Sequence, residues 1–338
     1  MKKNLQCSNK EQEKLIEEVQ RLMEERGRKP LDMARKAVLE EKIECREARE
    51  ALHYFMTEYW QDLARPTLLS ICCEAVGGNP NATIPFAVSL SLISGAIDIH
   101  DDIIDQSEIK NGRTTLYGKF GKNIALLVGD ALLFEGLTLL TEAGKNIDKE
   151  KIVAISNVLK TMFFELGDAE AMELKLRTRF DVSPNKYLDI IGKKAADVEA
   201  HTRISAILGN GTQREIASLS KYGRTLGKLL ILGDDDIDMA NPEELLHRIK
   251  KEHLPLPLLY ALHDPESKPK IAAILEKENV TTEDAKRIFE IVYNCRAFTE
   301  VEDLMRKLIR KGVNELKNIK SRREELELLI TTTHIEWK

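Results

Sequence analysis

Apolar residues recur with a helical period through almost the whole of this chain, and no segment sustains the alternation of a strand. Only ten prolines interrupt the 338 residues, and most sit where a helix should begin or end. Asn241-Pro242-Glu243-Glu244 reads as a cap, a proline at the first helical position and acids in the first turn. Ser183-Pro184-Asn185 opens a helix in the same way, and Thr281 to Asp284 opens one ahead of the apolar face Ile288, Ile291, Val292. Gly77-Gly78-Asn79-Pro80 and Asn210-Gly211 read as turns between helices. The spacing therefore predicts an all-α fold. The most charged stretch, residues 1–51, is expected to be a helical N-terminal extension, and no linker divides residues 52–338, which should form one large helical bundle.

Composition narrows the function classes. A net charge of -5 leaves no global basic field for nucleic acid. The five cysteines (Cys7, Cys45, Cys72, Cys73, Cys295) are odd in number and form no C-x-x-C, as expected of a reduced cytoplasmic protein. The N-terminus lacks the apolar core of a signal peptide, and no uninterrupted apolar run looks long enough to span a bilayer. The histidines show no H-E-x-x-H spacing, which argues against zinc. The basic run Lys317 to Arg323 reads as a solvated helix face, with at most transient membrane contact.

Against this background one pattern stands out. Asp101-Asp102-Ile103-Ile104-Asp105 and Asp234-Asp235-Asp236-Ile237-Asp238 both read D-D-x-x-D, and both follow apolar stretches. One copy alone would pass for a solvated helix end. On a helix, positions i and i+4 share a face, so Asp101 pairs with Asp105 and Asp234 with Asp238. Acids at the C-terminal ends of apolar helices oppose the helix dipole and repel one another. Local stability would select Lys or Arg there, so the acids read as ligands. Hard divalent ions are the expected partners, and Mg²⁺ usually shares its coordination sphere with substrate phosphates. Such ions lower the barrier to loss of a diphosphate, and apolar helical walls would keep water from the carbocation left behind. The chemistry suggested is ionisation of a diphosphate ester.

In order and spacing the chain resembles the trans-isoprenyl diphosphate synthases, the polyprenyl synthetase family. IDIHDDIIDQSEIKNGRTTLYGKFGKNIALLVGDALL (Ile97 to Leu133) is similar to the first aspartate-rich region, its following loop and the Gly129-Asp130 pair. Arg65-Pro66 with Glu74 to Gly78, Tyr187 to Ile191 with Lys193-Lys194, Leu226 to Asp238, and Leu254 to Leu262 resemble the other family segments. The resemblance implies a helical bundle around a deep central cavity, usually a homodimer. It also implies joining of an allylic diphosphate to isopentenyl diphosphate, making a longer trans-polyprenyl diphosphate. Asp101, Asp102 and Asp105 would hold Mg²⁺ against the allylic diphosphate. Asp234 and Asp238 would hold another ion from the opposite wall, with Asp235 nearby. Lys194 matches a lysine that touches the allylic diphosphate, and Arg65 an arginine for isopentenyl diphosphate. Glu173 matches an acidic family position. Ala96, Ile97 and Ile93 would line the path of the growing chain, so that Ala96→Phe should shorten the product.

The departures gather on the isopentenyl side. The family's Gly-Gly-Lys before the arginine is Trp60-Gln61-Asp62 here, its His or Gln above the first motif is Ser94, and its Arg-Arg pair is Lys110-Asn111 with Arg113 beyond. The Thr after the family lysine is Ala195, and Lys250 and Lys251 are the nearest basic residues in a shortened loop after the second motif. Three readings follow: a synthase in which Arg113, Lys110, Lys250 or Lys251 supplies the anion contacts; an enzyme with another acceptor, like a terpene cyclase or an irregular prenyltransferase; or a regulatory subunit of a heteromer. The first is favoured because both motifs are whole. Asp98 and His100 beside the first motif read as supporting residues rather than ligands, and Met162, Phe163, Phe164 and Met172 as core or cavity wall.

Overall fold

The computed structural model describes residues 9–110 and 112–334. Asn111, Cys7 and Trp337, each weighed above, lie outside the described residues. The fold is all-α. In chain order the helices are α1 (Asn9–Leu39), α2 (Arg46–Tyr54), α3 (Ala64–Ala75), α4 (Ile84–Asp105), α5 (Leu116–Gly144), α6 (Lys149–Leu174), α7 (Pro184–Lys194) and α8 (Ala196–Leu208). There follow α9 (Gln213–Ala240), α10 (Pro242–Lys251), α11 (Leu256–His263), α12 (Lys268–Leu275), α13 (Thr282–Tyr293), α14 (Ala297–Glu315) and α15 (Arg323–Thr331). The strand content among the described residues is one two-residue pair, β1 (Ile109–Lys110) against β2 (Arg113–Thr114). That pair is too short to leave an alternating signature in the sequence.

The expected caps are present. Ser183 accepts from the Lys186 N–H, Asn241 from the Glu243 N–H, and Thr281 with Asp284 closes a capping box, as does Thr212 with Glu215. Gln106 sits in the left-handed region (φ 56°) and ends α4, so the chain turns back as the β1–β2 hairpin.

The charged N-terminal segment corrects the reading of a free arm. Val19, Leu31, Ala34 and Val38 are fully buried, and α1 packs along α3 and α4. Its charges cover the outer faces while this apolar stripe at helical spacing joins the core. At Gly27 a Cβ would come within 2.5 Å of the Leu63 carbonyl oxygen, so only glycine permits that crossing.

Two helical stretches, Pro80–Asp105 and Leu116–Gly144, are long and apolar enough by length and composition to cross a membrane, contrary to the expectation from uninterrupted runs. The first is 72% buried inside the bundle and the second 33%. The first is thus a core helix. The second, α5, covers α4 on one side and leaves Leu127 and Phe134 exposed on the other. At Gly129 a Cβ would sit 2.7 Å from His100 Nε2, so this glycine lets α5 approach α4 beside the first motif.

Candidate active site

The two D-D-x-x-D motifs lie near the C-terminal ends of α4 and α9, where unpaired helix carbonyls concentrate negative potential. Cations from four other segments answer that potential. Lys110, on β1, reaches Asp101 at 3.3 Å and Asp102 at 3.6 Å. Arg177, in the turn after α6, holds Asp105 at 2.8 Å and also donates to the Ile104 carbonyl. Lys194, at the end of α7, pairs with Glu173 at 2.7 Å and Glu170 at 2.9 Å and stands 3.9 Å from Asp101. Arg248, on α10, holds Asp235 at 2.8 Å and Asp238 at 3.0 Å.

Bridges join the two walls. His253 lies between Arg248 Nη2 (2.9 Å) and Glu173 (3.5 Å), stacked near Tyr187. His247 links Ser107, just beyond α4, to Glu252, which also pairs with Arg248. Lys110 contributes to the field at Asp234 and Asp238 as well as at the first motif. One acidic centre results, built from α4, α6, α9 and α10.

Negative charge is in surplus there. Asp101, Asp102, Asp105, Glu170, Glu173, Asp234, Asp235, Asp238 and Glu252 face only Lys110, Arg177, Lys194 and Arg248. Burial, with Asp101 and Asp98 adding to it, pushes Asp102 up to about 7. Burial, then Asp238, pushes Asp234 up to about 6. Asp105 is raised by burial and by Asp101. Asp101 moves the other way: burial opposes it, but Lys194 and Lys110 prevail and hold it low. A buried Glu170 oxygen has no hydrogen-bond partner. An all-oxygen donor set with excess charge and an orphaned carboxylate oxygen fits hard divalent ions. Asp101, Asp102, Asp105, Asp234 and Asp238 are the residues placed to hold them.

Asp235 plays a different part. It is 1% exposed, and its two oxygens accept from the Tyr187 hydroxyl, from Arg248 and from the Leu256 N–H. Its carboxylate anchors α7, α10 and α11 to α9.

Several expected substrate contacts fall elsewhere. Arg113 donates to the Tyr59 carbonyl oxygen and lies over the Tyr59 ring, away from the aspartates. Lys250 is exposed and Lys251 reaches Gln106, so Arg248 is the basic residue that meets the second motif. Ala96 is fully buried in a cluster with Phe55, Trp60, Leu92 and Leu116. Ile93 and Ile97 belong to another cluster, with Leu69, Ala196 and Ala200. A turn of about 100° per residue separates positions 96 and 97, so Ala96 belongs to the solid core rather than to a wall shared with Ile97. Arg65 reaches the site from α3, but Asp62, Asp98 and Asp197 surround it. A surface cleft of about 700 Å³ opens at the opposite end of α3, beside Glu74, Gly78, Lys320 and Arg322, and holds none of the motif residues.

Arg177, Glu170, Arg248, Glu252 and His253 escaped the sequence reading. Helical spacing offered one signal: Glu170, Glu173 and Arg177 recur at i, i+3 and i+7 after an apolar helix. Nothing local marked Arg248.

Known proteins share this arrangement. The model of the polyprenyl synthetase family matches residues 48–292. A geranylgeranyl diphosphate synthase of Methanosarcina mazei is 28% identical over 268 residues, covering 78% of this chain and 82% of that one. A short chain isoprenyl diphosphate synthase of Methanothermobacter thermautotrophicus is 33% identical over 183 residues, 54% of this chain and 55% of that one. The solved geranylgeranyl pyrophosphate synthetase of Pyrococcus horikoshii superposes with a TM-score of 0.83 at 24% identity, over 96% of this chain and 99% of that one.

Proposed function

This chain belongs to the polyprenyl synthetase family, and on that premise we propose that it is a Mg²⁺-dependent prenyltransferase that ionises an allylic diphosphate between its two aspartate motifs. The observation that carries this reading is the surplus of carboxylates gathered from α4, α6, α9 and α10, with Asp102 and Asp234 raised well above the ordinary aspartate range. Bound Mg²⁺ would neutralise the charge that develops on a departing diphosphate. Lys194 and Lys110 stand beside the same carboxylates and can turn to the diphosphate oxygens once metal takes their place. Arg177 and Arg248 orient Asp105 and Asp238. Ile93 and Ile97 offer an apolar surface on the motif helix for the prenyl tail.

The names of the relatives make isopentenyl diphosphate the acceptor to test first. A second reading, a different acceptor, is favoured by the three carboxylates around Arg65. For assembly, the homodimer is supported by the exposed face of α5 and α6, where Leu127 (62% exposed), Phe134 (71%) and Phe164 (76%) leave apolar area for a second copy to cover. A heteromer with a related synthase would use the same face. The free thiols of Cys72 and Cys73, both buried, support a cytoplasmic setting.

The test is release of diphosphate from geranyl or farnesyl diphosphate with and without Mg²⁺. Release that requires the metal is expected. Absence of any release from either substrate, with the chain folded, would sink the reading and leave a regulatory subunit.

A further inference from the structure

The inference here rests on the reading that an allylic diphosphate is ionised at the aspartate clamp, and concerns what attacks the resulting cation. Arg65 is the cation that α3 contributes beside the clamp, and it is fully engaged. Its Nε pairs with Asp197 at 2.8 Å, its Nη1 with Asp62 at 2.9 Å, and its Nη2 stands 3.7 Å from Asp98. The three carboxylates come from three elements: the segment before α3, the motif-bearing α4, and α8. They are held in place independently. Asp62 caps α3 by accepting from the Ala64 N–H at 2.8 Å, and Asp98 accepts from Trp60 Nε1 at 2.9 Å. One guanidinium therefore faces three fixed carboxylates. Lys110, the nearest further cation, sits on Asp101 and Asp102.

A diphosphate approaching this shelf would meet net negative charge at contact distance, where like charges repel strongly in a partly desolvated site. It would also find no free N–H fork on Arg65. Two further polar groups flank the shelf. Ser94 lies one turn before Asp98 on the same face of α4, is 1% exposed, and its hydroxyl has no hydrogen-bond partner. His201 lies one turn after Asp197 on α8, is 1% exposed, and its Nε2 has none. Buried polar atoms are rarely left unpaired unless something else satisfies them.

We propose that the acceptor side of this site takes an uncharged, hydroxyl-bearing molecule rather than a second diphosphate. Its hydroxyl can donate to Asp98 and accept from Ser94. In the transfer, the allylic C1–O bond breaks and the diphosphate leaves with the electron pair. A lone pair of the acceptor oxygen forms the new C1–O bond, and the hydroxyl proton passes to the Asp98 carboxylate. The products are a prenyl ether and diphosphate.

The experiment uses the full chain with Mg²⁺ and labelled farnesyl diphosphate. The acceptor probes are isopentenyl diphosphate and its uncharged counterpart, 3-methylbut-3-en-1-ol. The wild type should prenylate the alcohol and leave isopentenyl diphosphate unextended. The pair Asp62→Asn and Asp98→Asn, which keeps the cap and the Trp60 contact in isosteric form, should raise kcat/KM for isopentenyl diphosphate at least tenfold. If that pair fails to fold, Asp98→Asn alone should give a smaller rise in the same direction. Wild-type extension of isopentenyl diphosphate at the rate of the variants would overturn the inference while leaving the ionisation reading intact. So would formation of farnesol alone in the presence of the alcohol probe. No diphosphate release under any condition would overturn the ionisation reading, and this inference with it.

Discussion

The two aspartate motifs share a pattern but not a construction. The first is held by side chains that can move: Lys110 sits on a short hairpin with its side chain 46% exposed. The second is clamped by Arg248, whose side chain is 12% exposed and which holds Asp235 and Asp238 at once while Glu252 and His253 pack around it. Tyr187 and the Leu256 N–H complete the grip on Asp235. The second wall is preorganised by its own protein partners, whereas the first has carboxylates whose charge only an adaptable lysine answers. An identical sequence pattern can thus serve as a rigid wall in one place and an adjustable one in another.

The sharpest way to break this contrast is to remove ligand charge from the first wall. Asp101→Asn with Asp102→Asn should cut Mg²⁺-dependent diphosphate release by roughly a thousandfold, about 4 kcal/mol of transition-state stabilisation. The metal-free melting temperature should not fall, because mutual repulsion is relieved. Turnover within tenfold of wild type would show that the first motif is not the donor site.

The second wall should respond in stability instead. Asp235→Ala leaves Arg248 buried without its main partner and orphans the Tyr187 hydroxyl and the Leu256 N–H. Breaking a buried pair on one side costs roughly 3–5 kcal/mol. Urea unfolding should show that loss, while Asp234→Ala, at an exposed position beside it, should change stability little and still abolish turnover. Equal stability of the two variants would mean that Asp235 is not the anchor.

The same contrast explains what could be read without coordinates. The fold class, the caps at Ser183, Asn241 and Thr281, and the two motifs depend on residues within a few positions of one another. Local spacing and backbone chemistry suffice for those. The counter-ions do not obey that limit. Arg248 reaches Asp235 and Asp238 only because α10 folds back on α9 after Asn241. Arg65 gathers carboxylates from positions 62, 98 and 197, a convergence set by the packing of α3, α4 and α8. Ala96 was misplaced because a position beside Ile97 in sequence lies on a neighbouring helical face. Val19 and its stripe were overlooked because surrounding charge masked an apolar face.

Proton binding gives a milder test of the surplus charge. Asp102 rises to about 7, and Asp234 and Asp235 to about 6, each chiefly through burial, against an ordinary aspartate value near 4. The folded metal-free chain therefore binds more protons than the unfolded chain between those limits. By linkage, the stability these groups contribute is complete below about pH 4 and is lost as pH rises through 6 and 7. The melting temperature without metal should decline from pH 5 to pH 8, and added Mg²⁺ should restore it most at the alkaline end. Asp197 works in the opposite direction: despite burial, Arg65 and His201 hold it low, so its contribution is lost only in strong acid, outside this window. A metal-free melting temperature that rises from pH 5 to pH 8 would contradict the charge surplus.

The smallest expected effect concerns the adaptable lysine itself. Lys110 occupies Asp101 and Asp102 when no metal is present, so metal must displace it. A partly exposed lysine–carboxylate pair is worth up to about 1 kcal/mol, which corresponds to a few-fold change in affinity. Lys110→Ala should therefore lower the Mg²⁺ concentration needed for half-maximal diphosphate release by roughly three- to fivefold. Arg248→Ala offers the control at the other wall: it should weaken Mg²⁺ activation, since Arg248 positions Asp238 and its loss lets the second wall relax. If Lys110→Ala instead raises the Mg²⁺ requirement, the lysine grips the substrate diphosphate in the metal-bound state, and the first wall is as preorganised as the second.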